Sequence, residues 1–450
     1  MNQDIFEKAP IPQAVAAMAL PTILSMLVTI FYNMADTFFV GQTGDPNQVA
    51  AVSLTTPVFL LLMAVGNIFG IGGSSLISRL LGQGEKKRVK NVSSFCFYGG
   101  ITAGLAMMFL FLLGMKPILS LIGCSSNTEK LARSYLTCIA FGSVFVVLST
   151  AFGNIVRGEG AAKIAMAGMM IGTVVNIVLD PIMILAMDMG VSGAAIATVI
   201  GNLCSVLFYL FYFWKGKTIL SISWKDFKAK EQVLTGVCFI GLPASINNVL
   251  MSTSNIIMNN FLAAYGDNPV AAMGVAMKAN MLVILLQIGL GTGIQPLIGY
   301  NYGSGNLKRL KKIMRFGMLC NVIFGVCITI VYFIFSEPII RIFIDNQNVI
   351  DFGVDMLRAI MLSGPFVGIL FVFNFTFQAM GKALPSLILS LSRQGLVFFP
   401  VLILADRLIG LKGVVYSQPI ADFVAIFMAL GMFLVINKGL NKQNTSAAAN

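Results

Sequence analysis

Asn176 and Asp180 stand four residues apart in the stretch GTVVNIVLDP, Gly172 to Pro181, inside a long apolar segment. At that spacing both side chains leave the same face of a helix, nearly in line along its axis. Pro181 follows directly. Proline has no amide hydrogen, so the carbonyl of Ile177, one turn earlier, loses its usual partner. A carboxylate, an amide oxygen and a freed carbonyl are thus gathered on one patch of helix. That donor set suits a hard cation or a proton. Acids inside an apolar span are costly in lipid and point to function by default. The structural alternative is a proline kink whose polar groups satisfy one another.

A second acid, Asp36, lies in YNMADTFFVGQ near the outer end of the first apolar segment. Helical rise places it roughly 6 Å below the outer boundary, and places Asp180 and Thr198 each roughly 9 Å below it. Three helices therefore bring Asp36, Asn176, Asp180 and Thr198 to one level. Two carboxylates close together in a low dielectric cannot both stay ionised cheaply, and they titrate as a unit. A proton or a sodium ion relieves that cost, so Na+ is the one metal ion these residues suggest. For Thr198 the alternative is a hydroxyl bonded back to its own helix.

The elements that carry these groups are set by composition. Of 450 residues, 57% are hydrophobic and 11% charged, whereas a soluble domain has about 25% charged residues. The chain reads as an all-α polytopic membrane protein. Twelve apolar spans run near 15–40, 49–79, 91–115, 131–156, 162–186, 192–214, 236–262, 270–301, 312–336, 355–380, 384–405 and 412–437, most of them long enough to cross a bilayer with some tilt. The N-terminal MNQDIFEKAPIPQ lacks the pattern of a cleavable signal peptide. The polar tail, 438–450, is expected to be disordered.

With the N-terminus inside, 21 of the 30 lysines and arginines fall in inner segments and 7 in outer ones. Lys278 and Arg393 lie within spans. This asymmetry puts both termini in the cytoplasm of a plasma-membrane protein. The net charge of +12 therefore belongs to loops and is no nucleic-acid footprint. The chain has no histidine, which excludes His-ligated metals and a His base or relay. The seven cysteines form no CxxC pairs and read as packing residues. No cofactor is implied, and no nucleophile–base pair suggests an enzyme.

The chain repeats itself at an offset of about 220 residues. LPTILSMLVTIF at Leu20 answers LPASINNVLMST at Leu242, and GQGEKKR at Gly82 answers GSGNLKR at Gly303. RGEGAA at Arg157 answers QAMGKA at Gln378, and GVSGAAIATVI at Gly190 answers GLKGVVYSQPI at Gly410. Each half has six spans, an even number, so the halves enter the membrane alike and are expected to be two six-helix lobes related by a pseudo-twofold axis along the membrane normal. The lobes are expected at 1–214 and 236–437, with a basic connector at 215–235. The second helices of both halves are Gly-interrupted, in NIFGIGGSS and GLGTGIQPLIG. Such interruptions suit moving parts or close packing.

The acids are one-sided. Met258 stands where the repeat would place a counterpart of Asp36, and Phe399 precedes Pro400 where Asp180 precedes Pro181. The second half instead carries Lys278, Arg393 and Asp422 inside its spans, with Gln287, Asn374, Gln378 and Gln394. Either cation can pair with Asp422 and hold the bundle together; contact with a substrate is the alternative.

Taken together, MADTFFVGQ with the following AAVSLTTP, the loop RGEGAA and the stretch VNIVLDP resemble the multidrug and toxic compound extrusion (MATE) family, over nearly the whole chain. The one-sided acids are similar to its DinF-like and MepA-like branch, and depart from the NorM-like pattern, which has acids in the second lobe. The resemblance implies two lobes in a V, rocking between inward- and outward-open states. It implies export of organic, mostly cationic compounds coupled to H+ or Na+, with Asp36, Asn176, Asp180 and Thr198 as the cation site. A monomer is the family expectation. In the antiport this suggests, cation binding from outside neutralises Asp36 and Asp180, and the kinked helices at Pro181 and Pro21 repack. The substrate cavity is expected between the lobes, lined by residues such as Phe31, Tyr32 and Met34. The alternatives are a lipid-linked oligosaccharide flippase of the same superfamily, and a channel.

Overall fold

The computed structural model describes residues 3–229 and 231–449, without the side chains of Gln3, Asn33, Glu231, Asn248 and 439–449. Lys230, counted above among the cations expected in inner segments, lies outside the described residues, and Lys442, counted with it, is described by its backbone only.

Helices fill the described chain, which contains no strand. They are α1 Gln3–Glu7, α2 Ile11–Gly41, α3 Pro46–Gly82, α4 Lys86–Leu113, α5 Met115–Leu121, α6 Ser126–Gly158, α7 Ala162–Asp180 and α8 Gly190–Trp214. There follow α9 Glu231–Ala263, α10 Asp267–Gly303, α11 Leu307–Ile334, α12 Ser336–Arg341, α13 Gln347–Met361, α14 Gly364–Ala379, α15 Ala383–Leu391, α16 Phe398–Ile409 and α17 Leu411–Ala449. Among the described residues, 11 spans are long and apolar enough to cross a membrane. A twelfth is the broken pair α13 and α14, bent by 46°. The fold is thus the twelve-span, all-α membrane architecture. The tenth span is not the single segment 355–380: Leu362 and Ser363 interrupt it, and Pro365 stands in the first turn of α14, where its missing amide hydrogen breaks no helical bond. The polar tail, expected to be disordered, continues as backbone helix to Ala449, and its side chains lie outside the described residues.

Two helices change their winding. α7 passes at Pro181 into a π-helical turn, Pro181–Ala186, and α15 passes into another, Ser392–Leu396. The wider turn is one way to accommodate a residue that cannot complete the α ladder. α2, by contrast, runs unbroken through Pro21.

Packing divides the chain into two compact units. The first holds Met1–Ser245, Gln295–Leu310 and Ala379–Gly381. In it α7 and α8 form a hairpin across a short turn at 187–189. The two helices touch through glycine: a Cβ on Gly201 would sit 2.6 Å from the Gly172 carbonyl and 3.2 Å from Asn176 Cβ. Ser205 Oγ donates to the Gly168 carbonyl and Tyr209 Oη to the Ala165 carbonyl, each at 2.8 Å. Small residues at such a crossing let backbones approach where lipid offers no hydrophobic drive.

The Gly-interrupted second helices meet reciprocally in the same unit. A Cβ on Gly82 would strike the Tyr300 carbonyl, and one on Gly303 the Arg79 carbonyl. The N-terminal segment α1 docks beside them. Phe6 is fully buried and stacks on Tyr300 at 4.7 Å, and Arg309 donates to the carbonyls of Phe6 (2.8 Å) and Ala9 (2.6 Å). The connector after α8 lies on α4: Ser93 Oγ donates to the Ser221 carbonyl and Ser94 Oγ to the Ser223 carbonyl.

The second unit holds Ile246–Ile294, Lys311–Gln378 and Lys382–Asn450. Its apolar core includes Met258, Leu262, Met273, Leu357, Phe398 and Leu402. Asn374, Gln378 and Ser386 bond one another between α14 and α15.

Candidate functional site

Asn176, Asp180 and Thr198 come together in the first unit, and all three are buried (2%, 0% and 3% exposed). The close α7–α8 approach at Gly172 and Gly201 sets Asn176 against Thr198. The Asn176 carboxamide satisfies both of its ends when its oxygen faces Thr198, accepting from the backbone N–H at 3.0 Å and from Oγ1 at 3.3 Å. Its nitrogen then donates to Asp180 Oδ2 at 3.1 Å. Such an amide orientation follows from its hydrogen-bond partners rather than from the amide itself. Asp180 closes α7 at the start of the π turn.

α2 completes the cluster. Tyr32 Oη lies 3.2 Å from Thr198 Oγ1, so this hydroxyl reaches across to other helices. Asp36, one turn beyond Tyr32, is half-buried, and Asp36 and Asp180 lie within electrostatic reach of each other. Tyr135 of α6 is buried within reach of both acids. The polar contacts continue inward: Asn202 Nδ2 donates to the Thr198 carbonyl at 2.8 Å and Ser149 Oγ to Asn202 Oδ1 at 2.5 Å. Carboxylate, amide, hydroxyl and phenol oxygens thus converge in one buried place, chemistry able to hold a proton or a small hard cation.

Sequence reasoning named Tyr32 only as a cavity lining beside Phe31 and Met34. Phe31 and Met34 are exposed (64% and 61%), whereas Tyr32 turns toward Thr198. The four-residue spacing of Tyr32 and Asp36 was the available signal. Asn202, four residues after Thr198, carried the same signal, and Tyr135 carried none.

In the second unit Arg393, and not Lys278, pairs with Asp422. Arg393 Nε lies 2.8 Å from Asp422 Oδ1. Lys278 is exposed on α10, between the buried Ala276 and Ala279, so it points away from that core. Gln287 and Gln394 are buried near the pair.

The family profile described as MatE matches twice, over residues 21–182 and 243–404. The chain belongs to the MatE family. The two matches start 222 residues apart, close to the offset of the sequence repeat. The chain is 34% identical to the "Multidrug export protein MepA" of Staphylococcus aureus over 426 residues, 94% of each chain. It is equally similar to the protein of that name from Staphylococcus saprophyticus. Solved structures share the fold. One is described as the "Outward-facing conformation of a multidrug resistance MATE family transporter of the MOP superfamily" (25% identity, TM-score 0.92, covering 97% of this chain and 98% of that one). Another, a "MOP superfamily transporter from Pyrococcus furiosus", is 25% identical with a TM-score of 0.92 and 98% coverage of both chains. The protein is a multi-pass membrane transporter and not an enzyme.

Proposed function

We propose that this MatE-family transporter exports organic, mostly cationic compounds in exchange for an inward-moving H+ or Na+. The cluster Asp180–Asn176–Thr198–Tyr32, with Asp36 in electrostatic reach, is the observation that carries this reading. Buried acids in a span are costly unless a cation or proton attends them. The names of the relatives support drug export over the flippase alternative.

In the proposed cycle, a cation taken up from outside neutralises Asp36 and Asp180. The π turn at Pro181 and the segment around Pro21 then repack, and affinity for the drug falls on the outward side. Coupling requires that ion and drug favour different states. The halves 1–214 and 236–437, joined by 215–235, act as the two lobes, with both termini in the cytoplasm and the chain working as a monomer.

Purified protein in lipid vesicles, with ethidium as the transported cation, tests this. A proton gradient and a sodium gradient are imposed separately. The expected result is ethidium movement driven by one gradient and lost in Asp36→Asn. Movement at an unchanged rate in folded Asp36→Asn contradicts the reading.

A further inference from the structure

α1 belongs to the first half by sequence, yet much of what holds it belongs to the second. The two MatE matches begin at residues 21 and 243, so α1 precedes the first match and Gln295–Leu310 lies within the second. By packing, however, Gln295–Leu310 is part of the first unit. α1 sits on that segment.

The ring of Phe6 is 0% exposed. It stacks on Tyr300 of α10, centroids 4.7 Å apart and planes 21° from parallel. It also meets Gly160 in the loop RGEGAA, at φ +93°, where a Cβ would sit 2.5 Å from the ring. Phe6 thus fills a gap between a loop of the first half and a helix of the second. The last carbonyls of a helix have no partner inside it, and here side chains of the second half supply the donors. Asn301 Nδ2 donates to the Phe6 carbonyl at 3.2 Å, and Arg309 Nε to the same oxygen at 2.8 Å. Arg309 Nη2 reaches the carbonyls of Ile5 at 3.3 Å and Ala9 at 2.6 Å. Tyr300 Oη adds a bond to the Glu7 carboxylate. Asp4, Glu7 and Lys8 are exposed, so α1 lies at the surface. The carbonyl of the same Tyr300 faces Gly82 of α3, at a spot too tight for a Cβ.

We propose that α1 is a latch. Docked, it clamps the Gln295–Leu310 segment of the second half to the first and keeps this end of the bundle closed; released, it lets the end open. This rests on the rocking of two halves proposed above. Carbonyls freed at the surface are taken up by water, so releasing them costs far less than in a sealed site, and the latch can re-form. The contact that water does not replace is the apolar one, Phe6 against Tyr300 and Gly160. A contact made in one state alone shifts the populations by its own free energy.

The full chain in detergent, with neither drug nor gradient, carries Ser78→Cys as a reporter. Ser78 is fully buried on α3, where a Cβ at Gly299 of α10 would lie 3.1 Å from its own. Labelling of the introduced thiol by N-ethylmaleimide is timed by peptide mass spectrometry, which reads that site apart from the native cysteines. Phe6→Ala is expected to speed labelling by about tenfold or more, and Arg309→Gln by about threefold or more. Ser143→Cys is the control, fully buried on α6 between the core residues Ala140 and Val146, and is expected to label at an unchanged rate. Unchanged labelling of the reporter in folded Phe6→Ala overturns the latch. Should Phe6→Ala fail to fold, unchanged labelling in Arg309→Gln overturns it alike. An equal rise at Ser143→Cys overturns it too, in favour of a segment that only stabilises the fold. Because no gradient is used, failure of the latch leaves the antiport reading standing, and failure of antiport in vesicles leaves the labelling prediction in force.

Discussion

Tyr32 Oη lies 3.2 Å from Thr198 Oγ1, and this bond ties the acid-bearing helix α2 to α8. Because Tyr32 is one turn before Asp36, the same contact fixes where that carboxylate stands relative to Asp180. Tyr32→Phe removes the bond and keeps the ring. A bond of this kind is worth about 0.5–1.5 kcal/mol, so gradient-driven export should fall by about 2- to 10-fold with little change in fold. Initial rates of dye export in vesicles check this.

The α7–α8 hairpin depends on Gly201. An added methyl would meet the Gly172 carbonyl at 2.6 Å and Asn176 Cβ at 3.2 Å. Overpacking of this kind costs about 1–3 kcal/mol. Gly201→Ala should lower the thermal midpoint in detergent and separate Asn176 from Thr198, so that export falls further than the loss of stability explains. Circular-dichroism melts beside transport rates on the folded fraction separate the two effects.

At the crossing of the Gly-rich helices, a Cβ on Gly299 would lie 3.1 Å from Ser78 Cβ. Disulfide-linked Cβ atoms sit about 3.5–4.5 Å apart, within reach of a small backbone shift. Ser78→Cys with Gly299→Cys should therefore cross-link under oxidant. Mass spectrometry after digestion checks for the bond, which reductant should reverse.

Glu159 gives a pH dependence outside the spans. Burial pushes its carboxyl above the ordinary glutamate value, opposed by bonds from Thr218 (2.6 Å), Tyr212 (2.7 Å) and the Ile219 N–H (3.3 Å). A carboxyl that holds its proton more tightly folded than unfolded adds stability below the unfolded value, and that stability is lost as pH rises through the folded value. Thermal stability should thus rise as pH falls from neutral toward the ordinary glutamate range. Glu159→Gln should remove part of that rise. A pH series of melts on both proteins checks it.

Much of this was readable in the chain. Apolar runs mark the spans because an uncharged segment of that length has few alternatives to lipid, and repeated motifs mark the halves. Asn176 and Asp180 announced their shared face by spacing. Tyr32 did not separate itself from Phe31 and Met34, because an aromatic side chain on an apolar helix suits lipid and core alike. The choice of Arg393 over Lys278 as partner of Asp422 depends on helix rotation, which spacing inside one span does not set. The break in the tenth span was legible at Ser363–Pro365, but the apolar run on either side outweighed it.

The acid cluster itself is tested most directly by separating exchange from accumulation. Vesicles containing wild-type protein or Asp180→Asn are assayed for ethidium exchange without a gradient, and for uphill ethidium accumulation under the coupling gradient. Asp180→Asn is expected to keep exchange and lose accumulation, because the drug can still ride the moving lobes while the cation no longer drives them. Uphill accumulation by Asp180→Asn at the wild-type rate would contradict a coupling role for the cluster.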